Sequence, residues 1–257
     1  MKTIQRLSIL AVSGTIFALS ETSRAASYTI NDSSADAFLS GANPTLNYGL
    51  AGTLAVAAAT STKGAFDSVV MFNTAGAVNQ FNTTYGAGNW EITGLTLSLA
   101  SNSGVQGVQP SSSLFSPINA GQFGIDWLAN NTWAEGTGNG NGAANGAVSF
   151  NSIPGLLAAG YDPLGTYAYT PPGNNVYVNY AMPLDSGLVS SATAGGALSL
   201  YFYAADNQVS YLFNSKDFSS NHPELTLTAA LVPEPGAYGL LLGLGGLLCG
   251  VKVSRTK

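Results

Sequence analysis

Three stretches of this chain alternate apolar with small polar or aromatic residues at a strict period of two. In "EITGLTLSLA", Leu95, Leu97 and Leu99 alternate with Thr96 and Ser98. In "ALSLYFYA", Leu198, Leu200 and Phe202 alternate with Ser199, Tyr201 and Tyr203. In "PELTLTAAL", Leu225 and Leu227 alternate with Thr226 and Thr228. A strand puts successive side chains on opposite faces, so this pattern predicts antiparallel sheets with one buried face and one wetter face. "TLAVAAA", "DSVVMFN", "NVYVNYA" and "VSYLF" read as further strands, with "SGANPTLNYG", "NTTYGAGN" and "TPPGNN" as turns between them. Helix is expected only briefly, around "IPGLLAAG" and "LDSGLVSSA". About eight to ten short strands without a fixed internal period predict an all-β fold: one antiparallel β-sandwich of jelly-roll type over residues 26–231.

Charge narrows what such a domain can bind. Only 8% of the 257 residues are charged, against roughly 25% in ordinary soluble domains. Between Ala26 and Leu231 there are eleven acids but only two cations, Lys63 and Lys216. A surface of that sign cannot neutralise phosphates, which excludes nucleic acid as a partner and leaves cations and neutral polymers. The only cysteine, Cys249, lies in the C-terminal apolar run, so the middle of the chain has no disulfide or thiol chemistry.

The remaining cations sit at the two ends. Residues 1–25 read as a secretory signal: Lys2 and Arg6 precede an apolar run from Leu7 to Leu19, and Ser23-Arg24-Ala25 supplies small residues for cleavage after Ala25. At the other end, residues 237–251 would extend about 22 Å as a helix, short against a bilayer core of roughly 30 Å. Five glycines weaken this helix further. Lys252, Arg255 and Lys257 would stay on the cytoplasmic side, leaving Val232-Pro233-Glu234-Pro235 at the outer boundary in extended backbone. Residues 232–257 resemble the PEP-CTERM sorting signal of Gram-negative bacteria. That resemblance implies an exosortase, a membrane-embedded cysteine protease or transpeptidase, as processing partner. The implied route is secretion, a transient inner-membrane helix, then the envelope, outer surface or extracellular matrix.

A second resemblance lies in the order of the middle segments. Asp36-Ala37-Phe38-Leu39, Asn43-Pro44, Asn47-Tyr48-Gly49, "WAEGTG" from Trp133, "VSFNSIP" from Val148 and "FNSKDFSSNHPELTLT" follow one another. This is similar to the DNRLRE family, exported bacterial domains with a jelly-roll fold like that of carbohydrate-binding modules. Lys216-Asp217 stands where that family tends to carry Arg-Glu, and Phe150 where it tends to carry Trp. Gly49 is expected to supply a positive φ after an aromatic plug, and Lys216-Asp217 to tie a loop.

Catalytic signatures are sparse. His222 is the sole histidine and no G-x-S-x-G elbow is present, which argues against a triad and an ordinary zinc site. Carboxylates remain, and glycoside cleavage needs only a pair of them. Asp32 and Asp36, with loop carbonyls, are calcium candidates, since hard cations take oxygen ligands. "GTGNGNGAANG" (136–146) lacks the strand and helix of a nucleotide site and reads as a flexible loop. Tyr201 and Tyr203, opposite the Leu198/Leu200/Phe202 face, are the candidate carbohydrate-binding plates. Trp90, Trp127 and Trp133 read as core or loop anchors. The expectation is an exported, non-catalytic surface or biofilm-matrix protein, structural or associated with exopolysaccharide and needing no cofactor other than, at most, calcium. The alternatives are a polysaccharide hydrolase or lyase using a carboxylate pair, and a calcium-dependent adhesin.

Overall fold

The computed structural model describes residues 25–59, 64–102, 120–140, 146–170 and 172–232. The signal segment before Ala25 and everything from Pro233 onward, including the 237–251 run, lie outside the described residues. Among those described, no helix is long and apolar enough to cross a membrane.

Two antiparallel sheets make up most of the structure. The smaller has the order β1 (Ala26–Ile30), β11 (Glu224–Leu231), β5 (Trp90–Ala100), β8 (Tyr177–Met182). The larger runs β10 (Ser210–Asn214), β3 (Thr53–Ala57), β4 (Phe66–Asn73), β9 (Ala197–Ala204), β6 (Gly121–Leu128), β7 (Tyr161–Tyr169), with β2 (Ala35–Ser40) also paired to β4. Strands not foreseen from the alternation are β1, β2, β6 and β7. β1 begins at Ala26 and faces Ala229 near the end of β11, so both ends of the domain leave from the same end of the small sheet.

The period-two pattern places its apolar residues as expected. Leu95, Leu97 and Leu99 of β5, with Leu225 and Leu227 of β11, share one core with Leu198, Leu200 and Phe202 of β9. Phe123 of β6 meets Tyr180 of β8 edge-on at 5.1 Å, an aromatic contact across the two sheets. The outer face of the small sheet is wet, with Thr29–Thr226 and Ser27–Thr228 hydroxyl pairs at 2.9 Å.

The outer face of the large sheet departs from expectation. β4 and β9 are buried on both faces for most of their length. A second apolar cluster lies there: Leu39, Val69 and Tyr201 under Val148 and Leu156, with Trp133, Phe150 and Leu157 packed against them. The covering segment includes the short helix α2 (Ile153–Ala158), one of the two expected; the other is α3 (Ser186–Thr193). A third helix, α1 (Ala75–Tyr85), occupies residues whose Asn and Thr content reads as turn. It forms because Ala77 and Phe81, one turn apart, are buried in the core and Phe81 packs on Trp90. Thr83 and Thr84 hydroxyls bond back to the carbonyls of Asn79 and Gln80.

Asn47 holds the covering segment in place. Its Nδ2 donates to the carbonyls of Glu135 (2.6 Å) and Val148 (2.8 Å), and its Oδ1 accepts from Gly138 (2.8 Å) and Gly49 (3.3 Å). The described part of the glycine-rich stretch is therefore wrapped around this turn, where a flexible loop was expected. A Cβ on Gly136, Gly138 or Gly140 would run into Asn47 or Tyr48. Gly49 is likewise needed for room beside Glu135 and Gly136, while its φ is not in the positive range. The expected aromatic plug is present: Tyr48 stacks on Phe38 at 4.2 Å.

Losing four buried or part-buried hydrogen bonds at roughly 1 kcal/mol each, Asn47→Ala is expected to lower unfolding stability by about 4 kcal/mol in chemical denaturation. Asn47→Asp should cost more, because it turns a carboxylate toward two carbonyls. A loss under about 1 kcal/mol for both would show that the segment is held by something else.

Candidate functional site

Three neighbouring strands arrange two tyrosines and two acids on the outer face of the large sheet. Asp126 of β6 stands opposite Tyr201 of β9, and Gly124 stands opposite Tyr203. The hydrogen bonds do not follow these pairings. The Tyr201 hydroxyl donates to Asp67 Oδ2 on β4 at 2.8 Å, whereas the Tyr203 hydroxyl serves Asp126. Between them the two rings stack at 5.5 Å and 24°. Gly124 makes this possible, because a Cβ there would collide with the Tyr203 ring.

Tyr201 and Tyr203 thus lie opposite the main core, as their alternation requires, but Tyr201 is not on a wet surface. It is only 7% exposed, beneath the second apolar cluster. Tyr203 is half-buried and lines an open cleft of about 280 Å³ with Asp67, Asp206, Asn207 and several alanines. Burial pushes the Asp67 carboxyl up to about 6, partly offset by the Tyr201 hydroxyl. Asp126 is raised for the same reason, with Tyr203 opposing. Burial also raises both phenols, reinforced by the neighbouring carboxylates. At Asp206 burial opposes ionisation, but the N–H groups of Gln208, Val209 and Gln122 outweigh it and lower its pKa.

A second acidic junction joins three remote segments. Asp36 is fully buried; its Oδ2 accepts from Ser33 Oγ (2.7 Å) and Lys216 N (2.8 Å), and its N–H donates to Glu135 Oε1 (2.9 Å). The Lys216 ammonium lies 3.1 Å from Glu135 and 3.4 Å from Asp217. One carboxylate oxygen from each of Asp36, Glu135 and Asp217 falls within 4.8 Å of the others. Lys216 places a positive charge against two of these acids, and Lys216-Asp217 ties its loop to Glu135. Burial pushes Asp36 up to about 7 against the bonds from Lys216 and Ser33. The two calcium candidates have separate partners: Asp32 is exposed and lies 3.3 Å from His222 Nδ1.

The tryptophans are anchors, with Nε1 of Trp90, Trp127 and Trp133 donating to Asn82, Ser191 and Ser199. Ala25 is exposed just before β1. Val232 donates its N–H to Asn89 O, while Pro233, Glu234, Pro235, Lys252, Arg255 and Lys257 lie outside the described residues. Asp67, Asp126 and Glu135 stood among the eleven carboxylates between residues 26 and 231 that the sequence left as undistinguished acid-base candidates, and Gly124 was not singled out. The available signal was an acid within an otherwise apolar strand, as in "FDSVVMF" and "GIDWL".

No family model matches the chain, and a search of curated proteins finds no match.

Asp36 and Asp67 hold protons in the folded chain at pH values where an ordinary carboxyl, near 3.8, has lost them. Their contribution to stability is therefore full below about 4 and is lost as pH rises through about 6 and then 7. The melting temperature should fall between pH 5 and pH 8, and Asp36→Asn with Asp67→Asn should flatten that slope. A melting temperature that climbs over this range would contradict the assignment.

Proposed function

We propose that this chain is an exported, non-catalytic surface or matrix protein that associates with polysaccharide and is sorted by an exosortase at Val232-Pro233-Glu234-Pro235. The strand order supports a jelly roll. With β2, β3 and β10 set aside, the other eight strands taken in chain order pair as first–eighth–third–sixth in one sheet and second–seventh–fourth–fifth in the other. This is the order two Greek keys give when folded together. The cleft carries the carbohydrate reading, because an aromatic residue, Tyr203, lines it together with hydrogen-bonding carboxylates and an amide. The engaged state of the acids supports a non-catalytic role: Asp67 and Asp126 each accept a tyrosine hydroxyl, and Glu135 is paired to Lys216. Adjacent exits for the two ends are consistent with a domain that is attached to one membrane at both ends during export.

Mass spectrometry of protein from producing cells should find a mature start at Ala26 and no peptide containing Lys257. Recovery of intact chains ending in Lys257 from the outer surface would reject the sorting claim. A second reading is favoured by one observation, the Asp67 carboxyl held near 6 at the cleft, with Asp126 opposite the Tyr201 that donates to it. In that reading the pair cleaves a glycan. It predicts release of reducing or unsaturated sugar ends from secreted polysaccharide, abolished by Asp67→Asn; absence of release leaves the binding role.

A further inference from the structure

The cleft beside Tyr203 combines features that together select one kind of sugar. Its volume, about 280 Å³, lies just below the roughly 300–1,000 Å³ of pockets for drug-sized ligands, a scale suited to a single pyranose ring. Tyr203 is fixed before any ligand arrives: its ring is stacked on Tyr201, its hydroxyl engages Asp126, and it lies against Gly124. A plate held this way loses little freedom on binding. Ala58, Ala65 and Ala204, with short side chains, line the cleft alongside it.

The polar lining has one sign. Asp67 and Asp206 face the cleft, and among the described residues no Lys or Arg lines it. Among the described residues the only Lys or Arg is Lys216, already committed to Glu135 and Asp217. Asp206 remains anionic on three backbone N–H groups, and Asp67 has only a neutral phenol as its partner on Oδ2. A neutral sugar would cover these acids without compensating their charge, which is costly. A sugar that carries its own ammonium would meet these two acids with charge-assisted hydrogen bonds.

We propose that this cleft binds a hexosamine unit with a free amino group, its ring against Tyr203 and its ammonium toward Asp67 and Asp206. The inference rests on the carbohydrate-associating reading above and names the sugar class. The implied partner is a polysaccharide with de-N-acetylated amino sugars.

Calorimetric titration of the full chain with a β-1,4-linked glucosamine tetramer, its fully N-acetylated counterpart and the corresponding glucose tetramer tests this. The free-amine tetramer should bind about tenfold more tightly than the other two at low salt, with the gap narrowing as salt rises. Asp67→Asn, which can still accept the Tyr201 hydroxyl, should remove most of that preference. Tyr203→Ala should weaken all three ligands about tenfold. Glu91→Gln, an exposed acid on the small sheet, should leave the preference intact, and an equal loss there would replace the site with diffuse charge attraction. Equal affinity for the three tetramers would overturn the amino-sugar assignment while leaving carbohydrate association standing. Binding of none would overturn both. If Tyr203→Ala does not fold, Asp67→Asn with its melting temperature measured in parallel still decides the matter.

Discussion

A carboxamide has two N–H donors and an oxygen with two lone pairs, and burying one without partners costs several kcal/mol. Asn47 is buried with all four positions used, and its partners are backbone groups of its own turn and of a segment about ninety to a hundred residues later. Such an amide accepts one arrangement of that segment and penalises others. Once residues 134–140 and 146–148 are fixed, Val148 and the helix after it roof the large sheet, and Glu135 is directed at Asp36 and Lys216. Burial of Tyr201 and the semi-open position of Tyr203 follow from the same roof.

The scarcity of cations sets the character of the interior. A domain with eleven acids and two cations between residues 26 and 231 cannot pair its buried carboxylates with arginine. It uses neutral donors: phenols at Asp67 and Asp126, a serine hydroxyl and a backbone N–H at Asp36, three backbone N–H groups at Asp206, and the first turn of α3 at Asp185. Neutral donors stabilise an anion less than a counter-ion does, so burial prevails at the first three and their carboxyls hold protons more tightly. At Asp206, less buried and with three donors, hydrogen bonding prevails.

The inner faces of β5, β9 and β11 were legible because alternation is a local property of a strand and needs no knowledge of its neighbours. The helices α2 and α3 were legible for a similar reason, as brief runs bounded by turn residues. What alternation cannot report is what lies on the second face. Tyr201 and Ser199 share one face of β9, which would be wet if the sheet were uncovered, yet Val148, Leu156 and Trp133 bury it. Helix α1 was obscured by asparagine and threonine, whose weak helical preference is overridden by burial of Phe81. The Tyr201–Asp67 bond spans 134 residues and the Lys216–Asp36 bond 180. Contacts at that range leave no local trace beyond an acid standing in an apolar run.

The neighbouring ends of β1 and β11 have a mechanical consequence. Strands that pair antiparallel with their free ends side by side separate like a zipper when tension is applied between those ends, breaking one cross-strand bond at a time. Such a pair resists little force. A domain built this way suits a pendant, tethered at one terminus with its other end unloaded, better than a link in a chain under tension.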